Sequence, residues 1–258
     1  VRKFLVHAKP EVGCHDFIEL GPTVQMEPSN KSNRKNELEE FFFTKLEKQQ
    51  GIKKNVLLSE EGGRLYHEQN QIVIVEIDKV KKIMRQTYLA DANRKENDAE
   101  HSWHLALSAV LLKEHMKEDV DLLKVIIMVL IHDLVEIDAG DTYAYDSEGA
   151  KTKRARELKS ADRIFGILPE DQGSYFRKLW DEFEEYESAD AKFAHLLDNF
   201  QPFLLNDASN GLSWTEHGVH RSQVCKRNEK VPETSEIVWN KMLEVMDKHI
   251  AEGHLKAD

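Results

Sequence analysis

The pair His132-Asp133 directly follows the longest uninterrupted apolar run of the chain, residues 125–131. Placing an imidazole and a carboxylate at the end of a buried segment costs free energy unless something neutralises and binds them. A divalent metal ion does both, because neutral imidazole and carboxylate are good ligands for such cations. Glu136 returns to the face of His132 one helical turn later, and Asp141 follows. The pattern therefore predicts a metal site surrounded by acids.

This prediction depends on context, because a His-Asp dipeptide is expected by chance in a chain with 12 histidines. A second one, His15-Asp16, follows no apolar run and carries no such prediction. Neighbouring residues on a helix point about 100° apart, since there are 3.6 residues per turn. One ion can thus contact both His132 and Asp133 only where the helix ends or is flanked.

Other candidate ligands lie on neighbouring helices. His101 and His104 are one helical turn apart, and such a pair can bind a metal from one face; alternatively, one of them caps the first turn or packs in the core. Asp198 lies in an otherwise apolar helical stretch, where His195 competes with it as a ligand. The residues alone leave open whether His104 or His195 joins the site.

The ordered set Glu100-His101, His132-Asp133 and Asp198 resembles the H…HD…D signature of the HD-domain metal-dependent phosphohydrolases. Residues 94–102 are similar to the R-x-E-N-x-x-E-H-S segment of the 5'-deoxynucleotidase-like branch. Residues 132–141 are similar to its HD-x-x-E-x-x-x-GD segment. The resemblance covers roughly residues 72–255, which is the whole helical part of the chain.

This resemblance implies a ligand set for one divalent ion, formed by His101, His132, Asp133 and Asp198. The metal is Mn, Co, Mg, Fe, Ni or Zn, and the sequence does not distinguish them.

The resemblance also implies roles for four further residues. Glu136 and Asp141 are the expected catalytic acids beside the metal-bound water and the substrate phosphate. Arg94 falls on a family arginine near the mouth of the site. The family places an Arg-Trp pair upstream for phosphate and deoxyribose recognition, and residues 84–88 here supply Arg85 but no Trp. Arg85 and Arg94 are therefore the expected substrate-binding residues.

The expected activity is hydrolysis of a phosphomonoester, in which a metal-bound water attacks a (deoxy)nucleoside 5'-monophosphate. Two alternatives stay open at this point. The same residues could serve a nucleotide phosphodiesterase or triphosphohydrolase, or a protein that binds nucleotides without useful turnover. The resemblance also implies a homodimer.

The elements that position these residues are predicted to be helices, giving an all-α HD-domain bundle over residues 71–258. Residues 1–70 form a weakly structured or mixed N-terminal extension of unknown role, with one plausible helix at 37–49.

Spacing and capping signals predict the individual helices. One helical face is predicted from the spacing of Val73, Ile77, Val80, Met84 and Tyr88. Asn97 followed by Glu100 fits a capping box that opens the next helix. A third helix, apolar all round in its middle and therefore expected to be buried, runs from about 119 to 136 and stops at Gly140. Further helices are predicted at 148–168, 171–187, 189–206 and 233–252.

The composition of the chain limits the partners that it is expected to bind. The net charge of −11 disfavours binding to duplex nucleic acid, although a metal ion or an arginine cluster can reverse the sign locally for a small phosphorylated substrate. Two cysteines are too few for a disulfide framework, and no apolar run reaches the roughly 20 residues that span a bilayer. We therefore expect a cytoplasmic protein without a membrane partner.

Overall fold

A computed structural model describes residues 60–258, with the backbone alone for residues 60–66 and for Ser147. The helix predicted at 37–49 and most of the predicted N-terminal extension lie outside these residues. In the described part the helices, in chain order, are α1 (Glu60–Glu76), α2 (Asp98–Leu112), α3 (Leu122–Ile131), α4 (Glu136–Ala139), α5 (Ser147–Phe165), α6 (Glu170–Glu185), α7 (Ala189–Ala208), α8 (Leu212–His217), α9 (Arg221–Arg227), α10 (Val231–Thr234) and α11 (Glu236–Ala251). Short 3-10 segments occupy Ile77–Lys82, Lys113–His115 and His132–Val135. Among these helices none is long and apolar enough to cross a bilayer.

The predicted helical bundle is confirmed, but the prediction of one continuous helical face from Val73 to Tyr88 is wrong. Helix α1 ends at Glu76, and after a 3-10 segment the chain becomes extended at Ile83. Strand β1 (Met84–Tyr88) then pairs antiparallel with β2 (Lys95–Asn97). A hydrogen bond from Leu89 N–H to the Arg94 carbonyl closes the turn between them. The residues of β1, Met-Arg-Gln-Thr-Tyr, do not alternate between apolar and polar side chains, so the spacing of Met84 and Tyr88 favoured a helix.

The predicted capping box at the start of α2 is confirmed. The Asn97 side chain accepts a hydrogen bond from Glu100 N–H at 3.0 Å, and the Glu100 carboxylate accepts one from Asn97 N–H at 3.1 Å. This reciprocal pair satisfies two of the backbone donors left free at a helix start. It fixes the point at which β2 turns into α2, one turn before His101.

The third predicted helix is present, but a 3-10 turn interrupts it at the His132-Asp133 pair. Helix α3 ends at Ile131, residues His132–Val135 form a 3-10 turn, and the short α4 stops at Gly140. Gly140 has a φ of +72°, a backbone conformation that residues other than glycine rarely adopt. The predicted glycine stop is therefore confirmed.

The expectation that α3 is buried on all sides is wrong on one side. Val125, Met128 and Val129 are buried in the main core, together with residues of α2, α7 and α11. Leu123 and Leu130, in contrast, are exposed to solvent. The helix thus has one face in the core and an uncovered apolar face opposite.

Helices α2, α3 and α7 pack on one another and form the centre of the bundle. Leu105 and Ala109 of α2 and Phe193 and Leu196 of α7 are fully buried in the same core cluster as the inner face of α3. This packing brings the start of α2, the end of α3 and the middle of α7 to one place.

His195 belongs to this packing and not to a ligand set. Its ring is stacked between those of Phe183 at 4.0 Å and Tyr186 at 3.9 Å, and its Nε2–H donates to the Phe183 carbonyl at 2.8 Å. Burial lowers the pKa of His195 to about 4. The alternative that His195 competes with Asp198 as a ligand therefore finds no support in its contacts.

The low pKa of His195 predicts a loss of stability on acidification. Above pH 6.5 the imidazole is neutral in both the folded and the unfolded chain. As the pH falls from about 6.5 to about 4, the unfolded chain takes up a proton that the folded protein excludes, which lowers the free energy of unfolding by about 3 kcal/mol. Urea unfolding of wild type and His195→Gln at pH 7 and pH 4.5 should show the smaller decrease in the variant.

A matched control is His115→Gln, which replaces a histidine whose side chain is 38% exposed. It should keep the wild-type dependence on pH. An equal decrease in wild type and His195→Gln would contradict the assignment of this acid sensitivity to His195.

Candidate active site

The four predicted metal ligands come together at the meeting point of α2, α3 and α7. His101 Nε2 lies 3.0 Å from Asp198 Oδ1, and His132 Nε2 lies 3.1 Å from Asp133 Oδ2. The crossed distances are 3.7 Å from His132 Nε2 to Asp198 Oδ1 and 3.9 Å from His101 Nε2 to Asp133 Oδ2. Two imidazole nitrogens and two carboxylate oxygens thus converge on one point.

His132 and Asp133 both reach the site at the point where α3 ends. In a continuing α-helix their side chains would diverge by about 100°. Here the α-helix ends at Ile131, and His132 Nε2 and Asp133 Oδ2 lie 3.1 Å apart. The requirement that the helix end at this pair, predicted from the sequence, is met.

The tautomer of His132 is fixed by the backbone. Its Nδ1–H donates to the Val129 carbonyl at 2.8 Å, which leaves Nε2 as the nitrogen with the free lone pair. That Nε2 is buried and makes no hydrogen bond. A buried nitrogen lone pair without a donor, aimed at carboxylates, has the chemistry of a candidate metal ligand.

The tautomer of His101 is fixed by a chain of side chains. Gln201 Nε2 donates to Glu96 at 3.0 Å and lies 3.0 Å from His104 Nδ1, which identifies the nitrogen of the amide group. Gln201 Oε1 therefore accepts the Nδ1–H of His101, at 2.9 Å. His101 Nε2 is then a lone pair that faces the Asp198 carboxylate, and acceptors that face one another need a cation between them.

These contacts also settle the position of His104. It does not reach the converging ligand atoms but hydrogen-bonds the Gln201 amide that orients His101. The donor set of two imidazole nitrogens and two carboxylate oxygens fits a divalent transition-metal ion, and the orphaned Nε2 of His132 supports that fit.

Arg85 lies at the centre of the acids around the site. Its guanidinium is 2.7 Å from Asp133, 3.3 Å from Asp98, 3.6 Å from Glu96 and 3.8 Å from Asp198. The extended backbone of β1 carries the side chain to this position. The charges of Asp133, Asp198 and Asp98 raise the pKa of Arg85 despite the cost of burying it, so it stays protonated.

Two buried carboxyl groups next to the ligands bind protons tightly. Burial and the charge of Asp133 raise the pKa of Glu136 to about 10 and that of Asp98 to about 7. Burial raises the pKa of Asp141 as well. Ionisable groups with raised pKa values in a pocket are the groups expected to carry protons during catalysis.

The ligand carboxylates behave in the opposite way. Burial alone would raise their pKa values, but the adjacent His132 imidazole and the charge of Arg85 hold the pKa of Asp133 below its usual range. The nearby imidazoles of His101 and His132 do the same for Asp198. The site thus separates carboxylates that stay ionised from neighbouring acids whose pKa values are raised.

A cavity of about 110 Å³ opens on this side of the cluster. Its lining includes Asp133, Asp198, Glu136 and Asp141, and three cationic residues, Arg85, Lys153 and Arg227. Lys153 lies 3.3 Å from Glu157, and Arg227 lies 3.8 Å from Asp198. The pocket therefore combines the two candidate ligand carboxylates and the two candidate catalytic acids with positive charge that can receive an anion.

Arg94 is placed differently from Arg85. Its guanidinium forms two hydrogen bonds to the Glu100 carboxylate, at 2.7 and 2.8 Å, and half of its side chain is exposed. It does not line the cavity. Its predicted role in substrate binding has no counterpart in these contacts and stays a prediction.

Sequence reasoning missed several residues of the site: Glu96, Asp98, Lys153, Gln201 and Arg227. Glu96 and Asp98 lie within residues 94–102, which resemble the family segment, but the sequence did not indicate that their side chains are buried. Gln201 follows Asp198 by three residues, which places both on one face of α7. Lys153 and Arg227 reach the pocket from α5 and α9 and left no signal near the motifs.

Known proteins resemble the chain over the same residues. The HD-domain family profile matches residues 77–239. The solved structure of a protein described as a predicted metal-dependent phosphohydrolase, from Magnetospirillum magnetotacticum MS-1, superposes with a TM-score of 0.70. It is 44% identical, and the match covers 74% of this chain and 95% of that one.

Curated relatives named 5'-deoxynucleotidase HDDC2 are similar to part of the chain. The Bos taurus and Homo sapiens proteins are each 30% identical over 115 residues, covering 44% of this chain and 54% of theirs. The chain thus spans about half the length of these relatives.

The N-terminal part of the chain resembles a different kind of protein. Residues 1–89 match the NDP-hexose 2,3-dehydratase family profile. A dTDP-4-dehydro-6-deoxy-alpha-D-glucopyranose 2,3-dehydratase from Streptomyces violaceoruber is 37% identical over 82 residues, or 31% of this chain and 18% of that enzyme. The sequence motifs alone had suggested no family and no role for residues 1–70.

The hydrogen bonds of Gln201 predict that it controls metal affinity without touching the metal. Gln201→Leu removes the acceptor that fixes the His101 tautomer, and losing such a partner typically weakens metal binding about 10–100-fold. Isothermal titration of chelator-treated protein with Mn²⁺ would measure the dissociation constant.

Gln223→Leu is the matched control, because Gln223 caps α9 at the surface. It should bind Mn²⁺ as wild type does, with circular dichroism confirming that both variants are folded. Equal affinity in Gln201→Leu and wild type would contradict the orienting role.

Proposed function

Because the chain belongs to the HD-domain family, we propose that residues 71–258 form a metal-dependent phosphohydrolase acting on (deoxy)nucleoside 5'-monophosphates. The observation that carries the proposal is the convergence of His101, His132, Asp133 and Asp198 beside a pocket that Arg85, Lys153 and Arg227 also line. The name of the Magnetospirillum relative supports the reaction class, and the names of the HDDC2 relatives support the substrate class.

The four converging residues would hold the divalent ion. When bound, such an ion lowers the pKa of a coordinated water and stabilises charge on a phosphoryl oxygen. The chain contributes the orientation of the ligands: the Val129 carbonyl and Gln201 hold the two imidazoles with their Nε2 atoms aimed at the carboxylates. A ligand set held this way loses little freedom when the ion binds.

Arg85, Lys153 and Arg227 would bind the phosphate. All three line the pocket, and Arg85 sits against the ligand Asp133 at 2.7 Å. A guanidinium suits this task, because its planar donors match two oxygens of a phosphate group. These cations account for anion binding by a chain whose net charge is −11.

Glu136 and Asp141 would move the protons. Glu136, with its pKa raised to about 10, carries a proton that it can give to the leaving oxygen of the nucleoside. Asp141, whose pKa burial raises, is a better proton acceptor than an ordinary aspartate and can accept the proton of the attacking water. The large rise in the pKa of Glu136 supports its role as the proton donor and leaves Asp141 as the proton acceptor.

The boundary between the HD-domain unit and the N-terminal segment is also a proposal, placed at residues 70 and 71. The two profile matches overlap at residues 77–89, close to this point. A cytoplasmic location and the lack of duplex nucleic acid partners stay predictions from composition.

The activity predicts release of inorganic phosphate from deoxynucleoside 5'-monophosphates in the presence of Mn²⁺, Co²⁺ or Mg²⁺. Asp133→Asn, which neutralises a ligand, should reduce kcat/KM by at least about 10²-fold, the range in which single catalytic groups act. Glu136→Gln should lower kcat by a similar factor while leaving Mn²⁺ content unchanged.

The matched control is Asp138→Asn, because Asp138 forms a surface ion pair with Arg163. It should keep wild-type turnover. Release of pyrophosphate or triphosphate, or turnover of a cyclic nucleotide alone, would identify one of the alternative phosphohydrolases. Absence of any release from folded, metal-loaded protein would refute the enzymatic proposal.

We also propose that the protein is a homodimer formed through α2 and α3. Trp103 and Leu111 of α2 are 62% and 70% exposed, and Leu107 lies between them on the same helical face. Leu123 and Leu130 of the adjacent α3 are exposed too. Two packed helices with uncovered apolar faces are typical of a protein interface.

The dimer proposal predicts that Leu107→Glu/Leu111→Glu is a folded monomer. A pair of charges cannot be buried at an apolar interface without a partner, so association is lost while the core is untouched. Light scattering coupled to size-exclusion chromatography would report the mass. Ile237→Glu changes an exposed apolar residue of α11 and should stay dimeric; a monomeric wild type would refute the proposal.

A further inference from the structure

A second cluster of possible metal ligands lies at the C-terminal end of α11, among residues that do not line the active-site pocket. Gly253, with a φ of +79°, ends the helix, and the N–H groups of His254 and Leu255 both donate to the His249 carbonyl, at 2.9 and 3.1 Å. This turn folds His254 back over His249. Their Nδ1 atoms lie 3.1 Å apart.

Glu252 completes the cluster from the same turn. Its Oε2 is 3.4 Å from His254 Nδ1 and 3.7 Å from His249 Nδ1. Ligands around a tetrahedral ion with bonds of about 2.0–2.1 Å are separated by about 3.3 Å. The three observed separations are those of one face of such a coordination shell.

The tautomer of His249 is fixed by the neighbouring helix. Its Nε2–H donates to Asp207 Oδ1 at 2.9 Å, and the Lys248 ammonium holds that same carboxylate at 2.8 Å. His249 is fully buried, so its remaining nitrogen, Nδ1, is a lone pair aimed at His254 and Glu252. Donation of the opposite ring N–H to a carboxylate is the usual arrangement of metal-ligating histidines.

The surrounding backbone holds the cluster in place. A Cβ on Gly211 would lie 2.6 Å from the Cβ of His254 and 3.2 Å from His249 Nδ1, so only glycine leaves room for the two rings. Thr215 Oγ1 donates to the His254 carbonyl at 3.3 Å, and Leu255 is buried. The two imidazole rings are therefore held close together by the surrounding structure.

From this geometry we propose that His249, Glu252 and His254 bind a divalent transition-metal ion, of the class that prefers imidazole and carboxylate (Zn²⁺, Co²⁺ or Ni²⁺), separately from the active site. The three side chains supply one face of the coordination shell, and water fills the outer positions, since Glu252 and His254 are 43% and 31% exposed. The bound ion fastens the C-terminal segment to the end of α11.

The first test is the number of zinc ions bound by the full chain without an affinity tag. Chelator-treated protein is dialysed against Zn²⁺ and analysed by mass spectrometry of the elements. His254→Ala and Glu252→Gln, both at partly exposed positions, should each bind one equivalent fewer than wild type. His132→Ala/Asp133→Ala should also lose one, and its combination with His254→Ala should lose two.

His115→Ala is the matched control, because it removes a surface histidine outside the cluster, and it should bind as much zinc as wild type. Histidines of the N-terminal segment are present in every variant and cancel in the differences. Unchanged zinc content in His254→Ala and Glu252→Gln would overturn the proposal and leave a hydrogen bond between the two rings as the explanation of their contact.

A second readout is thermal stability in the His132→Ala/Asp133→Ala background, where the active site no longer contributes. Zn²⁺ at about 100 times its dissociation constant should raise Tm by roughly 5–10 °C. Adding His254→Ala should abolish this shift. His254→Ala alone should retain phosphate release, so that failure of this proposal and failure of the proposed enzymatic activity give different results.

Discussion

Two buried imidazoles with their Nδ1–H groups already engaged are the constraint on which the rest of the structure depends. His132 donates to a carbonyl of the helix that it terminates, and His101 donates to Gln201. Both then direct Nε2 lone pairs at Asp133 and Asp198. A cluster of facing acceptors is unstable in a protein interior unless a cation lies among them. The chain supplies Arg85 for part of that charge, and the donor set suits a divalent ion for the rest.

The helical bundle is arranged so that this cluster can exist. Helix α3 ends at Ile131, immediately before His132 and Asp133, whose side chains both reach the cluster. Helix α7 places Asp198 and Gln201 on one face, so that the same helix provides a ligand and the group that orients another ligand. The capping box at Asn97 fixes the start of α2 and hence the depth at which His101 enters the core. Local sequence rules and the geometry of the site therefore impose the same element boundaries.

The helices, the capping box and the glycine stop could be predicted from the sequence, because each leaves a local pattern of spacing or residue type. The set of four converging residues was implied by the resemblance to the HD-domain phosphohydrolases. The β1–β2 hairpin was missed, since the residues of β1 do not alternate between apolar and polar side chains. Arg85 was predicted to bind substrate, but its contacts with the surrounding carboxylates were not, because they depend on the extended backbone of β1. Gln201 and Lys153 could not be found: an ordinary glutamine and an ordinary lysine acquire their roles from distant partners that packing brings near.

The distribution of charge explains why such an acidic chain can still suit an anionic substrate. At the site, the carboxyl groups divide into those that the neighbouring imidazoles and Arg85 hold ionised and those, Glu136 and Asp98, whose pKa values burial raises. Glu136, with a pKa of about 10, holds its proton at neutral pH, which removes negative charge next to the pocket. The cations Arg85, Lys153 and Arg227 line this same pocket. The local charge is thus decided by burial and proton binding, whereas the net charge of −11 is a sum over the whole chain.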